Sequence, residues 1–467
     1  MPFSFLARAI DSATQSFSVP MKTTLPRVLL GILLSFVVSG CAPRLPPETP
    51  SNLVQLTGVP ERPPDVGGTA IPPGVVVDDG LAQEEAVAIA LWNNPDFQVQ
   101  LAEMGFARAD LLEAGLLSNP VLSLLFPIGP KQLEATLKWP IEVLWERPKR
   151  EAAARLAADR VAAGLEQAGL TLVSDVKISY VEYALAQDRL RLADQSVEEL
   201  EQISRLMESR FQAGDVSLLE ARTAAIDASR GRQDSVRARL DVVLRANELR
   251  TRLGLALDPR EFDVVTTAAA LEPCGPMPAL LEEALASRPD VRAAEIGIEA
   301  AAARLGWEES RVVAVTAALD ANGEGREGFE WGPGVDVGLP FFNRNQAGLA
   351  RANAEIRRAG GQYVAVRQRV AGELLDATTQ FQQASVALAG WRDTVLVPLE
   401  EQVQVANRAF ADGDVAFLFV LEMQRRLTEA RLRTREAEAD LARALARIER
   451  AIGRRCGAGG REIVRGF

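Results

Sequence analysis

Acidic side chains are the most numerous groups in this sequence that could do chemistry. The chain has 63 Asp and Glu residues, 52 Lys and Arg residues and no histidine, which gives a formal net charge of −11 at pH 7. Without an imidazole, Ser-His-Asp catalysis, Cys-His catalysis and histidine-ligated metal sites are excluded. The carboxylates lie among basic residues at helical spacing, which is typical of solvent-exposed helix faces. The composition therefore predicts no enzyme, no metal site, no cofactor and no binding of nucleic-acid phosphates.

The three cysteines are the remaining candidates for reactive chemistry. Cys41 follows an apolar run, Val28–Val38, which is preceded by Lys22 and Arg27. This order is that of a signal peptide, and the run is too short to span a membrane as a helix. The small residues directly before Cys41 resemble the lipobox of bacterial lipoproteins, in which the cysteine receives a covalent lipid. The alternative is an ordinary secretory signal with a chance cysteine.

The N-terminal region divides into two parts. Residues 1–40 are predicted to be an N-terminal extension followed by the signal peptide. Residues 41–79 are rich in Pro and Gly, with the pairs Pro63-Pro64 and Pro72-Pro73, and are predicted to be an extended, lipidated tether. The folded body is therefore expected to begin near residue 80.

The rest of the chain follows the same plan twice. Asn94-Pro95-Asp96 and Arg288-Pro289-Asp290 each open an alanine-rich helix. The pattern Phe-x-x-Gly-Asp-Val-x-x-Leu then occurs at Phe211–Leu219 and, 199 residues later, at Phe410–Leu418. Self-similarity at a fixed spacing indicates a duplicated fold. The predicted organisation is a first repeat over 80–258, a linker over 259–277, a second repeat over 278–455 and a C-terminal tail over 456–467.

Segments with the two-residue period of β-strands follow each opening helix. Val121–Phe126 supplies one strand, and three further segments place apolar residues on one face: Leu133, Ala135, Leu137 and Trp139; Val313, Val315, Ala317 and Leu319; Trp331, Val335, Val337 and Leu339. Four strands of about ten residues with one apolar face favour the wall of a membrane β-barrel. A small soluble sheet is the alternative.

Unusually long helices make up most of the remainder. No proline occurs between Lys149 and Asp258, and the stretch Arg150–Phe211 alone would span roughly 90 Å as an α-helix. The matching stretch, Gln346–Phe410, contains Pro398, which predicts an interruption. Apolar residues recur along these helices at helical spacing. Since a compact globule cannot cover such a stripe, partner helices are expected along the whole length, as in a coiled coil.

Together these elements resemble the TolC-like outer membrane efflux protein family. The resemblance rests on the duplicated Pro-Asp helix openings, the strand hairpins, the helix–Gly–helix turns, the lipobox and the segment Val397-Pro398-x-x-Glu401. It covers about residues 80–455. Pro140-Ile141-Glu142 followed by Lys149-Arg150 is most similar to the metal-efflux branch.

The resemblance implies a mainly α fold with a small β part, in which long antiparallel coiled-coil helices form an α-barrel and four strands contribute to a trimeric β-barrel. It implies a homotrimer, lipid-anchored in the bacterial outer membrane and extending into the periplasm. Such a channel passively conducts substrates from an inner-membrane pump and a periplasmic adaptor to the outside. The alternative is a periplasmic coiled-coil lipoprotein with a structural or adaptor role.

The two Gly-Asp-Val turns are implied to form the periplasmic tip, which docks the adaptor and constricts the tunnel. Each glycine permits the left-handed backbone that ends one helix, and Asp215 or Ser217 can cap the next, with Ser217-x-x-Glu220 fitting a capping box. The residues that match the family's tip are Arg210, Gly214, Asp215, Ser217, Gly413 and Asp414. Candidates for the constriction are Glu220, Asp412 and Phe419. Ala409 and Ala416 depart from the family pattern, and the acidic residues predict a cation-favouring opening.

Cys274 and Cys456 remain after lipidation of Cys41. Each follows a helix end in its own repeat, so the two thiols could approach each other in the equatorial region. A disulfide between them suits an oxidising compartment, and two free buried thiols are the alternative.

Overall fold

The computed structural model describes residues 80–126, 133–258, 262–265, 274–323 and 329–456, together with Ile128 and parts of 54–76. These residues belong to one compact unit, Leu45–Phe467. The signal peptide, Cys41 and the tail after Cys456 lie outside the described residues.

The elements of the first repeat recur in the same order in the second. The first repeat contains α1 (Gln83–Asn93), α2 (Pro95–Gly115), β1 (Val121–Leu125), β2 (Leu133–Pro140), α3 (Val143–Ala213) and α4 (Leu218–Leu253). The second contains α5 (Met277–Ser287), α6 (Pro289–Ser310), β3 (Val315–Gly323), β4 (Phe329–Val337), α7 (Gln346–Ala389), a π-helix (Gly390–Leu396), α8 (Val397–Ala411) and α9 (Phe417–Ile452). The predicted duplication is confirmed, and the last helix of each repeat has 36 residues. None of the described helices is both long and apolar enough to cross a membrane.

The four strands form one antiparallel sheet in the order β1-β2-β3-β4. The register pairs Leu122 with Leu137, Leu137 with Leu319, and Leu319 with Pro333. Because directly paired residues point to the same side of a sheet, the predicted apolar residues share one face. The strands of the second hairpin lie nearer the hairpin loop than predicted, since β3 begins at Val315 rather than Val313 and β4 ends before Leu339.

Helix α3 is longer than the sequence predicted. It has 71 residues and begins at Val143, ahead of the expected start near Arg150, with Pro148 inside its second turn. A proline this close to the N-terminus removes only one intrahelical hydrogen bond, so the helix continues through it. At 1.5 Å per residue α3 spans about 105 Å.

The predicted interruption at Pro398 takes the form of a π-helix. The π-helix ends at Leu396, and α8 begins at Val397 with Pro398 in its first turn. Because Pro398 has no N–H to donate, the α-helical hydrogen-bond pattern cannot continue through it. The residues ahead of it form the wider turns of the π-helix instead. The corresponding part of the first repeat has no proline and stays α-helical throughout α3.

The hydrophobic core is thickest where the short helices cross the long ones, and this level is called the equator below. In the first repeat Leu81, Leu249 and Leu253 belong to a cluster with Val176 and Tyr180 of α3. In the second repeat Leu280, Ile448 and Ile452, each 199 residues later, belong to a cluster with Leu374 of α7. Each repeat thus packs its equator in the same way.

Described residues of the N-terminal region contact the equator. Arg62 donates to the carbonyl oxygen of Trp92 at 2.7 Å, and the indole N–H of Trp92 donates to Pro60 O at 2.8 Å. Asn93 and Ala70 exchange two hydrogen bonds of 2.7 and 2.8 Å. Pro60, Arg62 and Ala70 of the predicted tether therefore dock on α1.

Candidate functional site

The first Gly-Asp-Val turn joins α3 to α4 with the backbone geometry that the sequence predicted. Gly214 has φ 84°, in the left-handed region that favours glycine. The N–H of Gly214 donates to Phe211 O at 3.0 Å, and the N–H of Asp215 donates to Arg210 O at 2.9 Å. The carbonyl of Arg210 thus closes α3, while its side chain is exposed.

Ser217 and Glu220 form the capping box of α4. The Ser217 hydroxyl accepts from the Glu220 N–H at 3.3 Å, and the Glu220 carboxylate accepts from the Ser217 N–H at 2.7 Å and from its hydroxyl at 2.8 Å. These hydrogen bonds, the backbone one foremost, lower the pKa of Glu220 below its ordinary value. Of the two capping residues considered, Ser217 is the one that caps α4 through its side chain, which leaves the carboxylate of Asp215 exposed.

The second turn, between α8 and α9, has the same backbone but a different cap. Gly413 has φ 85°, and the N–H of Asp414 donates to Ala409 O at 2.8 Å. The N-cap position of α9 is Ala416, which makes no side-chain capping bond. Asp412, Asp414 and Phe419 are exposed at this turn. The predicted tip residues thus lie at two exposed turns, with Ser217 and Glu220 in direct contact.

A carboxylate that the sequence did not single out lies between α3 and α9. Glu199 of α3 is half-buried, and burial raises its pKa, although a hydrogen bond with Thr428 and the charge of Arg431 act in the opposite direction. Arg431 also pairs with Glu400 of α8 at 3.1 Å. No local motif marks Glu199, because its environment is set by a helix more than two hundred residues away in the sequence.

The sheet exposes one apolar and one polar face. The exposed apolar residues are Leu122, Leu124, Leu137, Leu319, Trp331, Val335 and Val337. On the opposite face Lys138 of β2 reaches across β3 to Asp336 of β4, with Nζ and Oδ2 2.8 Å apart. The outer strands β1 and β4 each have one edge without a neighbour in the described sheet.

Apolar stripes also remain exposed on two helices. On α4 the stripe consists of Ile226, Val236, Leu240, Val243 and Leu244, and on α7 it consists of Val364, Leu375 and Val386. All eight side chains are more than half exposed. Large apolar surfaces of this kind mark interaction sites.

The structure pairs Cys274 with Cys456 in a disulfide whose Cα atoms are 5.2 Å apart. The prediction that each cysteine follows a helix end in its own repeat is wrong for Cys274, which directly precedes α5. Cys456 follows the end of α9, so the bond joins the two ends of the second repeat. Within the described part of the chain, no group of three or more Cys, Asp and Glu residues could hold a metal ion.

A family model described as "Outer membrane efflux protein" matches residues 87–255 and 280–454. The two matched segments correspond to the two structural repeats, and together they cover more than half of the chain.

Similar sequences include a bacterial metal resistance protein and a bacterial outer membrane lipoprotein. The cobalt-zinc-cadmium resistance protein CzcC of Cupriavidus metallidurans is 26% identical over 379 residues, which are 80% of this chain and 90% of that protein. The probable outer membrane lipoprotein SilC of Salmonella typhimurium is 28% identical over 285 residues, which are 55% of this chain and 58% of that protein.

Solved channel structures have the same fold. The structure of CusC matches with a TM-score of 0.66 at 20% identity, covering 81% of this chain and 93% of that one. The outer membrane protein VceC of Vibrio cholerae matches with a TM-score of 0.64 at 17% identity, covering 80% and 96%.

Proposed function

The chain belongs to the outer membrane efflux protein family, and we propose that it is the exit channel of a system that expels metal ions. Members of this family are outer membrane ducts of tripartite efflux systems. The observation that carries the proposal is a single chain that combines an open sheet with one apolar face and a helix of about 105 Å. Such a chain can line a continuous path through a membrane and a wide compartment beside it.

Metal ions are favoured as the substrate class by the relatives. CzcC, a cobalt-zinc-cadmium resistance protein, aligns with 80% of this chain, whereas the toluene efflux pump outer membrane protein TtgF of Pseudomonas putida aligns with 56%. Because the family consists of efflux ducts, the chain's proposed part is to conduct the ion.

A homotrimer would cover the exposed surfaces of the protomer. Open strand edges are costly in lipid, because the unpaired N–H and C=O groups find no water there. Three copies that pair β1 of one with β4 of the next would close a twelve-stranded barrel and remove the edges. The same arrangement supplies each stripe on α4 and α7 with a neighbouring helix.

The two turns are proposed as the periplasmic tip that docks the adaptor. Both lie at the far end of the long helices from the sheet, and their backbone geometry is that of the family's helix–Gly–helix turns. Threefold symmetry would bring Asp215, Asp412 and Asp414 of each protomer together at the opening, where their negative charges attract cations. Glu220 contributes less to this charge ring, since its carboxylate is engaged by Ser217.

Lipidation of Cys41 is compatible with the position of the N-terminal region. Thr57 is held at the equator by Arg455, near Glu84 and Lys177. The sixteen residues from Cys41 to Thr57 can span at most about 55 Å. Helix α3 rises about 50 Å from Lys177 to its start at Val143, next to the sheet. A lipid on Cys41 can therefore reach the membrane that the sheet would enter.

Metal tolerance of cells tests the substrate class. A strain that lacks this chain is complemented with the wild-type gene and exposed to cobalt, zinc, cadmium and silver salts, and separately to toluene. Restored tolerance to one or more metal ions without a change in toluene tolerance is the expected result. Restored tolerance to toluene alone would assign the channel to organic solvents.

Oligomeric state tests the proposed interface. Leu240→Ser should reduce the fraction of trimer in mild detergent, measured by light scattering on a sizing column, because it removes an apolar side chain from the α4 stripe. Arg239→Ser is the matched control, since Arg239 is the adjacent exposed residue outside the stripe. Equal trimer fractions in both variants would show that the stripe is not the interface.

A further inference from the structure

Residues 454–456, which follow α9, form a junction between parts of the chain that are far apart in sequence. Gly453 ends α9 in the left-handed region with φ 75°, and the chain then turns away from the helix. Arg454 pairs with Glu283 of α5, with an Nη2–Oε2 distance of 2.9 Å. The N–H of Cys456 donates to Glu449 at 3.0 Å. These contacts lie within the second repeat.

Arg455 makes the contacts that leave the second repeat. Its guanidinium lies 2.7 Å from Glu84 of α1 and donates to the carbonyl oxygen of Thr57 at 3.0 Å. Thr57 belongs to the N-terminal region and is buried, with 2% of its surface exposed. Arg455 therefore joins three separate parts of the sequence: the N-terminal region, the first repeat and the end of the second repeat.

A second bridge runs beside the first. Lys177 of α3 is 7% exposed, and its ammonium group lies 2.9 Å from Glu449 and 3.8 Å from Glu84. Glu449 thus binds Lys177 through one carboxylate oxygen and the N–H of Cys456 through the other. The hydrogen bond that positions Cys456 and the ion pair between α3 and α9 therefore share the carboxylate of Glu449.

Ion pairs alone would hold this segment weakly. The side chains of Arg455 and Glu84 are 32% and 55% exposed, and exposed pairs contribute little because water and salt screen them. The covalent tie here is the bond from Cys456 to Cys274, which packs in the apolar cluster of Leu280 and Leu374.

We propose that the Cys274–Cys456 disulfide is an oxidation-dependent clasp that seats Arg455 and thereby holds the N-terminal region, at Thr57, on the equator. The inference goes beyond conduction, since it concerns how the N-terminal region is fixed to the helical body of the chain. Forming the clasp removes two protons and two electrons from the two thiols. They pass by thiol–disulfide exchange to the disulfide of an oxidant molecule. The oxidant first forms a mixed disulfide with one of the two cysteines and then leaves as two thiols.

Hydrogen–deuterium exchange on the full-length protein in detergent tests the clasp. The protein is oxidised with glutathione disulfide or reduced with dithiothreitol, and exchange is followed in peptides around Thr57, separately from peptides around Ala70, which Asn93 holds independently of Arg455. Reduction should accelerate exchange around Thr57 about threefold to tenfold. Arg455→Ala in the oxidised protein should produce an acceleration of the same size. The matched control is Arg454→Ala, because Arg454 pairs with Glu283 of the second repeat, and its bond to Arg455 reaches the backbone carbonyl and not the guanidinium that contacts Thr57.

A thiol-free variant separates the clasp from other effects of the reductant. Cys274→Ser with Cys456→Ser should exchange as the reduced wild-type protein does and should not respond to dithiothreitol. If this variant does not fold, reduction of the folded wild-type protein gives the same comparison. Acceleration by Arg455→Ala without acceleration by reduction would overturn the proposal, and so would an unchanged exchange rate in Arg455→Ala.

Discussion

Gly254→Ala is expected to destabilise the equator far more than the same change at the equivalent Gly453. Both glycines end the last helix of a repeat in the left-handed region, with φ 72° and φ 75°. An alanine in this conformation costs about 1–2 kcal/mol at either position. The surroundings differ. A Cβ at residue 254 would lie 2.1 Å from Asn93 O, whereas a Cβ at residue 453 would meet nothing closer than Arg288 Cγ at 3.6 Å.

The additional cost at residue 254 follows from what Asn93 and Asn94 hold in place. Relief of the clash requires the backbone of Asn93 to shift, since a carbonyl oxygen cannot rotate away as a side chain can. Asn94 then loses its alignment as the cap of α2, in which its side chain accepts from the Phe97 N–H at 3.0 Å. It also loses its hydrogen bond to Arg252 O at 2.9 Å. A lost cap and a lost buried hydrogen bond cost about 1 kcal/mol each. The expected total is about 3–4 kcal/mol, compared with about 1–2 kcal/mol at Gly453.

Local opening free energies measure this difference directly. Hydrogen–deuterium exchange should show that Gly254→Ala lowers the opening free energy of the α1–α2 corner by about 2 kcal/mol more than Gly453→Ala lowers that of the α5–α6 corner. This difference corresponds to a roughly thirtyfold larger opening constant. Gly214→Ala is a second control, because a Cβ there meets no atom within 4 Å. Equal losses for Gly254→Ala and Gly453→Ala would refute the assignment of the extra cost to the Asn93 backbone.

Three further predictions concern the anchor and the tip. Cys41→Ser should abolish labelling with radioactive fatty acid, and label retained on the variant would show that Cys41 is not the acylated residue. Asp215→Asn combined with Asp414→Asn should reduce cation selectivity, measured as the reversal potential in planar bilayers under a salt gradient, and an unchanged reversal potential would remove both carboxylates from the constriction. The lowered pKa of Glu220 means that its capping contribution is complete above the ordinary pKa of a glutamate and is lost as pH falls through the lower folded-state pKa. Exchange of the first-turn amides should therefore accelerate, beyond the intrinsic pH effect, as pH falls below the ordinary pKa of a glutamate, and Glu220→Gln should remove that acceleration.

Features that depend on neighbours in the sequence were predicted well. The left-handed glycines at 214 and 413 were identified because glycine followed by a polar residue at the end of a long helix is typical of a left-handed helix end. The alternating faces of β2 and β3 were identified because a two-residue period fixes which side chains share a side of the sheet. In both cases the signal and the structure occupy the same few residues.

Features that depend on distant partners were not predictable in this way. The inclusion of Pro148 in α3 was not predicted, because a proline in the second turn of a helix that packs against α2 and α6 costs less than the packing gains. The contacts of Arg62, Ala70 and Pro60 with α1 join residues that composition alone assigns to a linker. Composition describes what a segment could do when free, whereas docking depends on acceptors supplied elsewhere in the chain.

The duplication shows how two sequences can meet the same structural requirement with different chemistry. Asn94 and Arg288 occupy equivalent N-cap positions, and each donates to a carbonyl near the end of the last helix of its repeat, Arg252 O or Ala451 O. Asparagine does this as a neutral group that also caps α2. Arg288, 2% exposed, brings a buried charge that must be balanced, and Asp290 and Glu373 bind it at 2.8 and 2.9 Å. The balancing carboxylate of Glu373 lies on α7, so the second repeat ties its equator to a long helix through a charge where the first repeat uses a neutral amide.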